Sequence, residues 1–158
     1  MPGAADVAAL RTSSVLLPVL AALALRVVLG IMAWEPGWSA LTWDDFTRVE
    51  LALDWAQRPS VAIGRLVWLP LHTWVLGTAF LLTGGLFGDS PMALAAVVNS
   101  LAVLGAAGLV GRAAWHLFGS SSGALLAFAA ILFSPWGFYV SLSGHSEGLY
   151  YLAVALTV

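Results

Sequence analysis

LTWDDFTRVELALDWAQRP, residues 41–59, holds four of the chain's eight acidic residues and two of its six arginines. The sequence around it is so apolar that charge is scarce, so this stretch decides how the chain is read. Thr42 can cap a helix with Asp45 at its third position, a capping box with Asp in the Glu place. Phe46, Val49, Leu53 and Ala56 then fall at helical spacing on one face, while Asp44, Arg48, Leu51, Trp55 and Arg58 lie toward the other. The pattern predicts a helix over 43–57 lying near a membrane plane, with Phe46, Val49 and Leu53 buried. Electrostatics alone gives the two aspartates a plain role as first-turn charges favoured by the helix dipole, with Arg48 as the i+4 partner of Asp44.

The rest of the chain supplies the membrane. Of 158 residues, 61% are hydrophobic and 9% charged, and the mean hydropathy is +0.94. A soluble domain carries roughly 25% charged residues, so this chain cannot cover a water-facing surface. The reading is an all-α, polytopic transmembrane helix bundle with extracytoplasmic juxtamembrane helices. Cysteine is absent, which excludes disulfides and thiolate metal sites. The net charge of −2 gives no basis for a nucleic-acid partner.

Punctuation divides the chain. Residues 1–12 read as a short polar tail, and 13–34 as a first span closed by Glu35, Pro36 and Gly37. Residues 35–88 form an interfacial loop with its helices. Six of the eight tryptophans fall between Trp34 and Trp74, and Trp prefers the membrane–water boundary. Within that region 67–87 is apolar but broken by Pro70, His72, Gly77, Gly84 and Gly85. A second span covers 91–118, opened by Ser90 and Pro91, with Gly105, Gly108 and Gly111 as a stripe that admits close helix neighbours. A third covers 122–142 and bends near Pro135 and Gly137. A last apolar helix, 147–158, is shorter than the ~20 residues a span needs, so the chain reads as the amino-terminal part of a longer single transmembrane module. If 67–87 lies along the interface, Asp44 and Glu147 share the outer side while Arg112 and Arg11 share the inner, as the positive-inside rule favours.

The order of these elements carries a resemblance. Arg26 on the first helix is followed by a Trp-rich loop, WDDFTRVELALDW, RLVWLPLHTWVLG and a span ending GRAAWHLFG. ALLAFAAILFSPWGFYVSLSGHSEGLYYL completes the series. Over 13–158 this resembles the amino-terminal half of the GT-C glycosyltransferases, near the protein O-mannosyltransferases and lipid A aminoarabinose transferases. The resemblance implies a multi-pass enzyme of the cell membrane, here a bacterial plasma membrane. Such an enzyme moves a sugar from a polyprenyl-phosphate carrier to an extracytoplasmic lipid, glycan or protein acceptor, with inversion. Asp44 and Asp45 match that family's acidic pair, whose first member is essential, and Glu147 matches a later acid. The aminoarabinose transferases place a Lys before the proline matching Pro70, where this chain has Leu69.

The chemistry fits these residue types. A carboxylate within hydrogen-bond reach can take the proton of an attacking hydroxyl, and Asp44 is the candidate. The leaving phosphate needs positive charge rather than an acid, which makes Arg48, Arg58 and Arg65 the candidates to meet it. His145 and Glu147 are candidates for binding substrate, and two residues of separation is weak metal-ligand spacing. No cofactor is expected, with a divalent metal as the disfavoured alternative. Arg26 lies ~12 Å below Trp34 along a helix, where a cation either snorkels to the surface or serves a site. The competing reading is a non-catalytic polytopic membrane protein, either a transporter segment or a structural subunit.

Overall fold

The structure is a computed structural model that describes residues 4–33, 43–61 and 70–157, with side chains over 16–32, 44–61 and 70–157. Among these the regular elements are all helices. The chain forms α1 (Ala4–Ala33), α2 (Trp43–Gln57), α3 (Pro70–Thr83), α4 (Pro91–Phe118), α5 (Ser121–Leu132), α6 (Pro135–Leu142) and α7 (Glu147–Ala155). The capping reading at Thr42, Arg65 and Leu69 lie outside the described residues.

Local chemistry sets the boundaries. α3 ends at Gly84 and Gly85, both at positive φ. Ser90 stands before α4, but its side chain makes no capping bond; Pro91 at the first helical position starts the helix instead. Gly119, at φ 60°, closes α4 by donating its N–H to the Trp115 carbonyl. Ser120 caps α5 by accepting from the Gly123 N–H at 3.2 Å. The 122–142 segment is then interrupted. Ser134 accepts from the Gly137 N–H at 2.9 Å, Pro135 takes the first position of α6, and the two helix axes differ by 53°. A proline cannot continue the ladder of α5, and the serine gives the new helix its cap. α1 begins at Ala4, earlier than the polar tail read over 1–12. Asp6 and Arg11 do not break a helix, and the alanines around them favour one.

α4 is the centre. It packs against α2, α3, α5, α6 and α7. Its buried residues are mostly small, including Ala95, Ala96, Ala102, Ala106, Ala107 and Gly111, which lets neighbours come close. A Cβ on Gly105 would stand 3.0 Å from Leu152 and one on Gly111 would stand 3.2 Å from Phe128, whereas Gly108 faces open space. One apolar core joins Val49 and Ala52 of α2 to Leu76 and Phe80 of α3 and Leu94 of α4. The second joins Ala107, Phe128 and Leu132, with Leu23 of α1 against it.

At 28 residues, α4 is ~42 Å long, more than the ~30 Å of hydrocarbon. Among the described residues it is the one helix long and apolar enough to cross a membrane alone, and α5 with α6 makes a bent second. The apolar part of α1, Leu16–Met32, is shorter.

Candidate functional site

α2 presents a polar face to the bundle. Asp45, Arg48, Val49 and Ala52 recur at helical spacing and are all buried, whereas Phe46 is half exposed and Asp44 is exposed. The sequence reading of this face therefore fails at Phe46 and Arg48. It sent charge outward because no partner was visible nearby. The partners come from the loop between α6 and α7, nearly a hundred residues away.

That loop, Ser143–Ser146, is fixed from α4. Asn99 donates from Nδ2 to the carbonyls of Ser143 at 2.8 Å and His145 at 2.7 Å. Ser100 donates to the Ser141 carbonyl at 2.8 Å. Two glycines allow the contact. A Cβ on Gly144 would stand 3.0 Å from the Asp45 carbonyl, and one on Gly148 would stand 2.6 Å from Asn99 Oδ1. Removing Cβ atoms at these two points is what lets the loop lie between α2 and α4.

The result is a chain of ionisable groups. His145 stands between two carboxylates, its Nε2 3.2 Å from Asp45 Oδ1 and its Nδ1 3.2 Å from Glu147 Oε2. The Tyr139 hydroxyl is 3.0 Å from the same Nε2. Arg48 Nη1 donates to Ser146 Oγ at 2.8 Å and to Glu147 Oε2 at 3.2 Å. Exposure rises along the line: the Asp45 side chain is 0% exposed, His145 13% and Glu147 35%. Asp45 is thus enclosed, and Glu147 is where the cluster meets solvent.

His72 of α3 lies within electrostatic reach of Arg48, Glu147 and His145. It is 3% exposed, and its Nδ1 makes no hydrogen bond. Burial, and then the nearby Arg48 charge, push its pKa down to about 4. It is a neutral ring at neutral pH.

Of the residues read as a site from sequence, Asp45, Arg48, His145 and Glu147 meet. Asp44 stands beside them on the exposed side of the first turn of α2. Arg58 does not join them. It lies just past the far end of α2, thirteen residues and ~20 Å from Asp45, and it is exposed. Arg65 is outside the described residues. His72, Tyr139 and Ser146 were not singled out in the sequence. His72 was read only as a break in the apolar stretch 67–87, whereas Ser146 lies within SGHSEG and Tyr139 four residues before it, so that motif could have pointed to both. Asn99 of α4 holds the loop carbonyls. Among the described residues no three His, Asp or Glu side chains are arranged to hold a metal ion.

Arg26 does not snorkel. It is 8% exposed, donates to Ser141 Oγ and, at 3.4 Å, to the Phe138 carbonyl, and lies 4.1 Å over the Phe138 ring.

No family model, curated protein or solved structure matches this chain.

Proposed function

We propose that the chain belongs to a polytopic membrane glycosyltransferase of the GT-C type, which moves a sugar from a polyprenyl-phosphate carrier to an extracytoplasmic acceptor with inversion. One observation carries the reading. Asp45 of the acidic pair that opens α2 and the acid of SGHSEGL, distant in sequence, converge with Arg48 and His145, and Asp44 stands next to them on the exposed side. Their types are those that transfer from a phosphate requires: carboxylates water can reach, and a cation beside them.

The roles divide by exposure. Asp44 is open to an incoming hydroxyl and takes its proton as the acceptor oxygen bonds to the sugar's anomeric carbon. The bond from that carbon to the carrier phosphate breaks, and its electron pair leaves with the phosphate. Arg48 is the cation the cluster offers to that charge. Asp45 is enclosed and holds His145, and Glu147 lies at the mouth to orient sugar or acceptor.

The test is transfer by the protein in liposomes from a panel of polyprenyl-phosphate hexoses and pentoses. Asp44→Asn keeps size and an acceptor oxygen but cannot take a proton, so transfer should fall by roughly 10²–10⁴-fold with an unchanged melt. Near-normal transfer by this variant removes Asp44 as the base.

A second reading, an ion-coupled transporter, has one observation in its favour. The 53° break between α5 and α6 leads into a line of ionisable groups, and such groups inside a bundle serve proton pathways. Proton flux in the same liposomes, without sugar transfer, would select it.

A further inference from the structure

A second feature lies on the other side of α6. α1 and α4 diverge around an open groove of about 450 Å³. Its walls include Val27 and Ile31 of α1 and Val97 and Leu101 of α4, all substantially exposed. Arg26 lies at its base, beside Ser100 and Ser141. Its hydrogen bonds go to neutral oxygens, Ser141 Oγ and the Phe138 carbonyl, and both leave from Nη2. Among the described residues no carboxylate forms an ion pair with it. Nη1 lies above Gly30, where a Cβ would stand 3.3 Å away. One glycine, a turn further along α1, thus gives the guanidinium room within the groove.

A buried cation without a carboxylate, in an apolar setting, calls for an anion. Arg26 is tied to α6 through Ser141, so it does not relieve its charge by reaching for the surface. The alternative is for an anionic headgroup to be drawn to it, as basic pockets between membrane helices draw lipid phosphates. We propose that this groove binds an anionic membrane phospholipid, its phosphate diester on Arg26 and an acyl chain running deeper along Leu23, Leu101 and Leu104. The proposal requires that α1 and α4 lie in a bilayer and stands apart from the transfer reading, so either can fail alone.

The experiment is native mass spectrometry of the full chain, purified in detergent and offered phosphatidylglycerol and phosphatidylcholine in equal amounts. The expected result is a bound phosphatidylglycerol, preferred roughly tenfold. Arg26→Gln should abolish the preference, and Arg112→Gln, an exposed cation at the other end of α4, should leave it intact. Gly30→Leu keeps the charge but fills the groove, and it should release the lipid. If Arg26→Gln does not fold, Arg26→Lys should retain the preference while Gly30→Leu loses it. Equal retention of both lipids overturns the proposal, as does an undiminished preference in Arg26→Gln. So does retention of added polyprenyl monophosphate with phosphatidylglycerol refused, or a second copy of the chain bound in place of lipid.

Discussion

Asp44 and Asp45 are neighbours in sequence and opposites in setting, and asparagine at each position separates the two roles. Asp45 is wholly enclosed against His145. Replacing its charge there leaves polar groups that the fold has taken out of water without their full complement, which costs about 1–3 kcal/mol. At ~2–4 °C per kcal/mol for a chain of this size, Asp45→Asn should lower the melting temperature by several degrees. Asp44→Asn, on the exposed side, should stay within about 0.5 kcal/mol of the parent. Thermal melts in one detergent check both, and equal losses would mean that Asp44 is as enclosed as its neighbour. His72 adds a pH signature. Its pKa falls from 6.5 unfolded to about 4 in the fold, so between those values the unfolded chain binds more protons, and stability rises with pH. His72's contribution is fully present above pH 6.5 and is lost as pH drops toward 4. It amounts to on the order of 3 kcal/mol at ~1.36 kcal/mol per unit. His72→Phe should flatten this part of the stability curve between pH 4.5 and 6.5 relative to the parent, as read by denaturation midpoints. These settings are the part of the site that sequence hides. A helical pattern assigns Arg48 outward by its charge and Phe46 inward by its oil, and only the loop from α6 to α7 reverses them.

Helix boundaries were far more legible than helix faces. The stretch read as a helix over 43–57 is α2, and 91–118 is α4. Both follow from local signals, namely acidic residues in the first turn, proline at the start and glycine at the end. The break near Pro135 was also visible, but the reason it is tight was not. A Cβ on Gly137 would stand 2.6 Å from the Ile131 carbonyl and 2.7 Å from Ser134 Oγ, so α6 folds back onto the end of α5 only because that atom is missing. Gly137→Ala should therefore force the break open and destabilise by about 1–3 kcal/mol, shifting the Ser143–Ser146 loop that α6 carries. Gly108→Ala is the matched control. It lies in α4 with nothing within 4 Å of the added atom, and should be neutral or gain up to about 1 kcal/mol from helix propensity. Melting temperatures of the two variants make the comparison, and equal effects would show that the glycine at 137 serves no close approach.

If α4 crosses a bilayer, as its length and apolar composition allow, sidedness follows from which helix starts meet. Asp45, at the beginning of α2, and Glu147, at the beginning of α7, join one cluster beside Asn99 of α4. Arg112 lies thirteen residues further along α4, ~20 Å from Asn99. α3, between α2 and α4, has 14 residues, ~21 Å of helix against the ~30 Å a crossing requires. A chain that returned across the bilayer between Asp45 and Pro91 would separate α2 from the loop that holds it. With α3 lying along the interface instead, α2 and the Ser143–Ser146 loop share one side and the end of α4 the other. The arginine count would agree with that arrangement, because the positive-inside rule puts Arg112 with Arg11 on the inner side. The chain has no cysteine, so single cysteines report without background. Ser60 and Ser121 are both exposed, and a cysteine at 60 should react with an impermeant thiol reagent in intact cells while one at 121 reacts only after the membrane is opened. Ser146, partly exposed at the cluster's mouth, should label from outside more slowly than Ser60, since Arg48 covers it at 2.8 Å. Outside labelling at 121 with protection at 60 would invert the orientation. Labelling of 60 and 146 from opposite sides would require α3 to cross, and the cluster of Asp45, His145 and Glu147 could not then exist in the membrane.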